Sequence, residues 1–367
     1  MKEQDEPGIY HALQWHDRIR HIYLRLPPSI LHDCLMLMGA HFTRLEDLSL
    51  SFATDKITTL KLPKTFVAPN LRYLALTGIG LPKRLRALTY TVSLVTLVLR
   101  QIQTSSYFRP RLLVARLSSL PKLEELSIGF STPIPRPSTE RELLGEQGSP
   151  VALHCLKTLR FQGASVYLES FVAEIRAPLL EQLDIALFNQ IAFSLPHLSQ
   201  LLHTTKVFKL RNANIFFGRD EVTIIMDHYS SRWFNGRLLL RVMCKQLDWQ
   251  IDCASQICGG LIPSLSGVEQ LTLEFYVKVM PDEWENGEID GTTWCELLRS
   301  FVAVKQLDVC RGLLEELSRA LQVDEVGLDP GFLHNLQYIV AADNLFTSFF
   351  DTRRVVDRPV QFLWPSL

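Results

Sequence analysis

The sequence predicts an α/β solenoid in which short parallel strands alternate with helices. The main evidence is a six-residue phrase with apolar residues at positions 1, 4 and 6, such as LEDLSL from Leu45 and LRYLAL from Leu71. Its copies recur regularly, with 26 residues from Ile19 to Leu45 and 26 more to Leu71. The segments between copies carry apolar residues at helical spacing. Phrases of this form and period are the signature of leucine-rich repeats.

Each copy of the phrase predicts one strand. The eleven copies start at Ile19, Leu45, Leu71, Leu94, Leu123, Leu156, Leu180, Thr205, Val268, Val304 and Leu336. Because strand side chains alternate, positions 4 and 6 point inward and positions 3, 5 and 7 point outward. One repeat cannot bury its apolar face alone, whereas stacked repeats share a continuous core. We expect an irregular ribonuclease-inhibitor-like horseshoe, with a parallel sheet on the concave side and helices on the convex side.

Apolar residues at helical spacing predict the helices that connect the strands. Leu31, Leu35 and Met38 show the pattern, since they fall on one face of the first helical segment. Prolines such as Pro121 and Pro178 mark the returns from helix to strand. Five segments are predicted to be helical: 29–42, 111–120, 165–177, 249–262 and 292–304.

Two features predict an uneven, loosely curved array. Leucine-rich repeats place Asn or Cys three residues after the last leucine of the phrase. Here Ala53, Ile79 and Ile102 stand at that position, so an asparagine ladder is largely missing. Three short apolar runs between residues 214 and 244 also predict a local β-meander.

The predicted organisation is a single elongated domain. Residues 1–18 form a lead-in, residues 19–341 the solenoid and residues 342–367 a C-terminal cap or tail. Within the solenoid, residues 130–151 are rich in Pro, Ser and charge, which predicts a mobile loop. Residues 281–290 form a short acidic loop.

Composition and charge disfavour several classes of protein. The chain has 367 residues and a net charge of −1, so it carries no global field for nucleic acid or an anionic membrane. No apolar run approaches the roughly 20 residues of a spanning helix, and the N-terminus lacks the apolar core of a signal peptide. Seven cysteines without a tight framework fit free thiols. We expect a cytoplasmic or nuclear protein with no nucleic-acid and no membrane partner.

The sequence carries no recognisable catalytic signature. It has no Walker loop, no G-x-G-x-x-G after a strand, no G-x-S-x-G and no H-E-x-x-H. Cys244, Cys253 and Cys258 fall on or near one predicted helix without a second ligand pair, which favours buried thiols over a zinc site. We expect no enzyme activity, no cofactor and no metal. The alternative is a catalytic site assembled from distant positions, which leaves no local pattern.

Several phrases resemble a family of F-box and leucine-rich-repeat proteins of mushroom-forming fungi. They include LPKTFVAPNLRYLALTGI from Leu62, IRAPLLEQLDIALFNQIAF from Ile175 and WCELLRSFVAVKQLDV from Trp294. In that family an F-box binds the Skp-type adaptor of a cullin–RING ubiquitin ligase, and the repeats are assigned the selection of the substrate. The resemblance therefore implies a repeat module that recognises substrates for ubiquitination.

The first phrase lies close to the start of the sequence. Only 18 residues precede Ile19, whereas an F-box needs several packed helices of about 11–12 residues each. We therefore expect a Skp-type adaptor to bind only if an F-box is supplied elsewhere. The predicted function is a non-enzymatic protein-interaction module, and the alternative is a stand-alone leucine-rich-repeat scaffold without a ubiquitin-ligase role.

The outward strand positions predict a partner-binding surface on the concave face. Arginine suits bidentate contacts with carboxylates, and tyrosine offers amphipathic contact area. Basic residues prevail in the first two thirds of this face, while Glu274 and Asp308 lie in the last third, which favours an extended or acidic protein partner. The alternative is the ordinary scatter of charge on a neutral protein. The predicted contact residues are Arg25, Tyr73, Arg100, Arg160, Lys209 and Arg211.

Overall fold

In the computed structural model, the chain forms short parallel strands. The strands that follow the repeat phrases start at the third position of the phrase. The chain divides into two units, Met1–Leu180 and Glu181–Leu367. The structure describes residues 6–53, 60–82, 88–132, 150–205, 207–228, 236–275, 291–310, 312–314, 317, 335–342 and 360–361.

The first unit contains a six-stranded parallel sheet of order β1-β2-β4-β6-β7-β9. Corresponding phrase positions pair across it, so that Ile22 faces Leu48 and Leu48 faces Leu74. Two short two-stranded sheets, β3 with β5 and β8 with β10, lie outside this array. The strands are β1 His21–Leu26, β2 Asp47–Phe52, β3 Leu60–Lys61, β4 Tyr73–Thr77, β5 Ile79–Gly80, β6 Thr96–Ile102, β7 Glu125–Phe130, β8 Val151–Ala152, β9 Thr158–Gly163 and β10 Ile175–Arg176.

Helices cover the face of this sheet that carries positions 4 and 6. Tyr167, fully buried on its helix, packs on Phe130 with ring centroids 4.7 Å apart and stacks on Phe161 at 5.8 Å. Pro28 and Pro110 occupy the first turns of two helices, where proline's missing N–H costs no hydrogen bond. The helices are α1 Glu6–Gln14, α2 Pro28–Leu37, α3 Pro110–Leu117 and α4 Ser165–Val172, with a 3₁₀ turn at Thr104–Ser106.

A repeated backbone hydrogen bond fixes where each strand begins. The carbonyl at position 2 of one phrase accepts the N–H groups of positions 2 and 3 of the next phrase. Arg20 O thus accepts from Glu46 N at 2.8 Å and Asp47 N at 3.1 Å, and Glu46 O accepts from Arg72 N at 2.7 Å and Tyr73 N at 3.1 Å. The same pair of bonds recurs at the carbonyls of Arg72, Val95, Glu124, Glu181, Arg211, Glu269 and Lys305.

The regular register is broken once between β6 and β7. Leu99 pairs with Ile128, but the next pair is Ile102 with Phe130, so β6 has one residue more than β7. Gln101 lies inside this bulge with a φ of 53°, which is uncommon for a residue other than glycine.

The second unit resumes the array around an antiparallel insertion. Its sheet order is β11-β14-β13-β12-β15-β16-β17-β18. The strand pairs β12–β13 and β13–β14 are antiparallel, whereas β11–β14 and β12–β15 are parallel. The strands are β11 Gln182–Leu187, β12 Asn212–Phe217, β13 Val222–Asp227, β14 Arg237–Val242, β15 Gln270–Phe275, β16 Gln306–Cys310, β17 Tyr338–Ala342 and β18 Val360–Gln361.

Helices of the second unit support this insertion from the interior. The side chain of Gln250 is completely buried and donates to Gly218 O at 2.7 Å and Cys244 O at 2.9 Å. It therefore ties the β12–β13 turn to the end of β14. Trp294 packs edge-on against Phe217 of β12 with ring centroids 5.7 Å apart. The helices are α5 Pro196–Thr204, α6 Leu247–Gly260, α7 Ile262–Leu265 and α8 Gly291–Arg299.

The structure confirms the α/β leucine-rich-repeat-like fold that the phrases predict. Ten of the eleven phrases lead into a strand that begins at their third position. The central meander is confirmed as β12–β13–β14. The predicted helix over 165–177 is too long, because it ends at Val172 and Ile175–Arg176 forms a strand.

The phrase predicted from Thr205 is wrong, because the strand begins five residues later than that phrase requires. Leu210 occupies position 1 of the real phrase, LRNANI, and Arg211 O makes the position-2 hydrogen bonds. Position 4 is Ala213, which is buried but too small to stand out in an apolar pattern.

Parts of the predicted organisation lie outside the described residues. They include 133–149 of the predicted mobile loop and the whole acidic loop 281–290. In the predicted tail, Val360–Gln361 pairs antiparallel with β17. Among the described residues, none of the helices combines the length and apolarity required to traverse a bilayer.

We predict that Leu97→Ala lowers the free energy of unfolding by about 2–5 kcal/mol, because Leu97 is fully buried at position 4 of β6 and its truncation leaves a cavity. The control is Val98→Ala, the next residue on the outward face, which we expect to cost less than about 1 kcal/mol. Urea denaturation followed by circular dichroism measures both. Equal losses for the two variants contradict the assigned faces.

Two glycines should respond oppositely to alanine. Gly236 has a φ of 78°, and a Cβ there meets Val207 O at 2.6 Å, so Gly236→Ala should destabilise the protein by about 1–3 kcal/mol. Gly259 of α6 has open space around it, so Gly259→Ala should stabilise by roughly 0.5–1 kcal/mol. Melting temperatures measure both changes, and a stabilising Gly236→Ala contradicts the strained turn before β14.

Candidate functional site

The strands of the first unit present one side of their sheet to solvent, which we call the open face. It is formed by positions 3, 5 and 7 of six phrases. Strand by strand these residues are His21, Tyr23 and Arg25; Asp47, Ser49 and Ser51; Tyr73, Ala75 and Thr77; Thr96, Val98 and Arg100; Glu125, Ser127 and Gly129; Thr158, Arg160 and Gln162.

The middle of the open face is built from small side chains. Ser49, Ala75, Val98 and Ser127 occupy position 5 on four successive strands. Neighbouring strands lie about 4.8 Å apart, so this floor is roughly 14 Å from end to end. None of these four side chains is long, and Ala75 and Ser127 are buried, at 7% and 5% exposure.

A polar aromatic cluster borders one end of this floor. Tyr23 is 62% exposed and donates a hydrogen bond to Asp47 Oδ2 at 3.0 Å. His21 Nδ1 lies 2.7 Å from the same oxygen, and the His21 and Tyr23 rings stack with centroids 6.5 Å apart. The hydrogen bond to Asp47 raises the pKa of the Tyr23 hydroxyl, so it stays a donor at neutral pH. The cluster holds Tyr23 in a fixed position.

Three arginines extend along the open face. Arg25 and Arg100 both occupy position 7, three strand spacings apart, or roughly 14 Å. Neither makes an ion pair within the described part of the chain. Arg160 lies 3.8 Å from Glu125, a long contact between two exposed side chains that leaves most of the guanidinium available.

The bulge in β6 lies next to Arg100. Arg100 immediately precedes Gln101, whose positive φ turns the strand before pairing with β7 resumes at Ile102. A bulge redirects the side chains next to it. Arg100 is exposed, as is Arg25 at the same position of β1, where the register is unbroken.

Four of the six predicted contact residues share this surface. Arg25, Tyr73, Arg100 and Arg160 lie on outward positions of one sheet. Tyr23 was left out of the predicted contact set, although the alternation rule places it outward and its exposure is the largest of the aromatic residues on this face. The small-residue floor has no signal in the sequence pattern, because Ser and Ala at outward strand positions carry neither charge nor a large apolar surface.

Lys209 and Arg211 do not lie on strand positions of the kind predicted. Both precede β12, and Arg211 Nη1 bonds Glu269 Oε1 at 2.7 Å. The physical reason is the misplaced phrase, since the true outward residues of β12 are Asn212, Asn214 and Phe216. Any role of these two cations in binding stays a prediction.

The outward face of the second unit satisfies much of its own polarity. Arg241 Nη2 donates to Asp184 Oδ1 at 3.0 Å, and Gln270 Nε2 donates to Asp308 Oδ2 at 2.7 Å. Asp308 is only 7% exposed, so the carboxylate that was predicted to make this face acidic has little access to solvent. The first unit is therefore the stronger candidate for binding a partner.

The cysteines behave as buried thiols. The side-chain hydrogen bond between Cys244 and Cys253 raises the pKa of the Cys244 thiol and lowers that of the Cys253 thiol. Burial likewise raises the pKa of Cys258. No group of three His, Cys, Asp or Glu side chains within the described ranges is arranged to hold a metal ion.

The chain has structural likenesses among solved proteins. No family model matches the chain, and no curated protein matches it. Among solved structures, "Crystal structure of TLR13-ssRNA13 complex" aligns with a TM-score of 0.36 and 13% identity over 82% of this chain. The chain spans 37% of the length of that protein.

Proposed function

We propose that the chain is a non-enzymatic protein-interaction module that holds an extended, acidic segment of a protein on the open face of its first unit. The observation that carries this proposal is the small-residue floor, which lies between fixed or cationic side chains. A leucine-rich-repeat array favours this role, because stacked repeats create an extended binding surface.

The dimensions of the open face suit an extended chain. Six strands at about 4.8 Å spacing give a width of roughly 24 Å, which about seven residues of extended polypeptide span at 3.3–3.4 Å each. Such a chain can lie across the strands with its backbone near Ser49, Ala75 and Val98. Tyr23 offers a rigid aromatic contact at one end of this path.

The charge of the open face favours acidic partners. Arg25 and Arg100 have no ion pair among the described residues, and each guanidinium can bind a carboxylate in a bidentate manner. Their separation of roughly 14 Å matches side chains about four residues apart in an extended peptide. Asp47 and Glu125 counter this field, but Asp47 is engaged by His21 and Tyr23.

We also propose that this recognition serves ubiquitination, on the strength of the family resemblance of the repeat phrases. In this reading the partner on the open face is a substrate, and a Skp-type adaptor binds only if an F-box is supplied elsewhere. A stand-alone scaffold is the second candidate.

Charge reversal on the open face tests the binding proposal. Peptides selected on the full chain from a random display library should be rich in Asp and Glu. The double variant Arg25→Glu/Arg100→Glu should weaken their binding at least about tenfold, because two charge-assisted contacts are lost. Fluorescence anisotropy measures the dissociation constants.

The matched control is Lys64→Glu/Arg176→Glu, which makes the same charge change at exposed residues outside the open face. We expect this control to alter peptide binding less than about twofold, since salt screens exposed charges that lie outside the binding surface. Selected peptides without acidic enrichment, or equal losses in the two double variants, contradict the proposal.

Co-purification tests the ubiquitin-ligase context separately. If the repeats serve a cullin–RING ligase, affinity purification of the tagged full chain from its own cells should recover a Skp-type adaptor and a cullin. The Arg25→Glu/Arg100→Glu variant should keep the adaptor and lose the open-face partner. Partners recovered repeatedly without either ligase component favour the stand-alone scaffold.

A further inference from the structure

A basic groove of about 600 Å³ lies in the first unit, at the edge of the sheet where the strands begin. It is distinct from the open-face arginines at position 7, which lie about five residues, or roughly 16 Å, further along the strands. Four cations and one acid line it, together with small neutral residues. The lining residues are Arg20, Arg44, Glu46, Asn70, Arg72, Ser93, Val95 and Lys122.

The repeat itself explains why these side chains converge. Position 1 is a buried leucine in the phrases from Leu45, Leu71, Leu94 and Leu123, so the residues on either side of it point away from the core. Stacking then aligns Arg20 and Arg72 at position 2 of their phrases, while Arg44 and Lys122 precede position 1 of theirs.

Small residues in one repeat open the groove. The phrase from Leu94 carries Ser93 and Val95 where its neighbours carry long polar or charged side chains. The short side chains of Ser93 and Val95 leave open space between Arg72 and Lys122. The groove is open and mainly polar, and only its volume lies in the range of small-molecule sites.

The cations of the groove are available to a ligand. Within the described residues, Arg20, Arg44, Arg72 and Lys122 make no ion pair with any acidic side chain. At position 2 of later phrases the charges are paired, since Lys157 Nζ lies 2.8 Å from Glu124 Oε2. In the second unit, Glu269 bonds Arg211 at 2.7 Å and lies 3.2 Å from Lys305.

We propose that this groove binds a small polyanion that carries several phosphate groups. Two arginines flank the groove at position 2, and guanidinium forks match phosphate oxygens in bidentate geometry. Arg44 and Lys122 add charge from the neighbouring row, and the Ser93 hydroxyl supplies a neutral donor. Glu46 lowers the net positive charge, so a ligand needs more than one phosphate to bind well.

Calorimetric titration of the full chain with inorganic triphosphate tests the proposal. Arg72→Glu should weaken binding at least about tenfold, because it replaces a favourable charge by a repulsive one. Glu46→Gln should strengthen binding severalfold, since it removes the one repulsive group from the groove. Arg176→Glu, an exposed arginine outside the groove, should change the affinity less than about twofold.

The Glu46→Gln variant keeps the test decisive even if Arg72→Glu folds poorly, because its expected effect is a gain. Absence of binding at about 1 mM triphosphate and low salt overturns the proposal, as does a Glu46→Gln variant that binds no better than the wild type. A single-stranded oligonucleotide that binds more tightly than triphosphate and shows the same variant ranking overturns the small-molecule assignment in favour of nucleic acid.

Discussion

The structure depends on the pair of backbone hydrogen bonds that opens each strand. A carbonyl oxygen has two lone pairs, and here the position-2 oxygen uses both to hold the next two amides of the neighbouring phrase. This bond fixes the register, and a slip of one residue would turn every side chain to the opposite face of the sheet. The leucines at positions 1, 4 and 6 can form continuous layers only because all strands start at the same level.

The backbone bonds also explain how the array tolerates its irregular sequence. The bonds at the strand start are made by the main chain, so they form whatever side chains the repeats carry. The antiparallel insertion obeys the same constraint. Two antiparallel pairings reverse the strand direction twice, so β12 again runs parallel to β15, and Arg211 O receives Glu269 N and Gln270 N in the usual way.

The sequence predicts the regular part of this fold well, because it is determined by local alternation. Leucines at Leu45 and Leu71 identify β2 and β4 without any knowledge of long-range contacts. Where a small residue fills an inward position, as Ala213 does in β12, the pattern loses its contrast and the prediction slips by five residues. The role of Gln250 was unpredictable for another reason, since its carbonyl partners come from two distant segments.

The candidate surfaces also depend partly on local alternation and partly on long-range contacts. Alternation is enough to put Arg25, Tyr73, Arg100 and Arg160 on one face, but it does not reveal which of them lack ion pairs. That property depends on the charges of the neighbouring strands.

The strand-start hydrogen bonds organise charge as well as apolar packing. Within each unit they bring position 2 of successive phrases into one row, so each charge there lies beside the same position of its neighbours. Opposite charges then pair across exposed contacts worth less than about 1 kcal/mol each, as Lys157 does with Glu124. The loss of such a pair costs little stability, and the first repeats can therefore leave Arg20 and Arg72 unpaired. The chain has a net charge of −1, yet one edge of the first unit is basic. The strand-start hydrogen bonds that stack the leucines also align the cations at this edge.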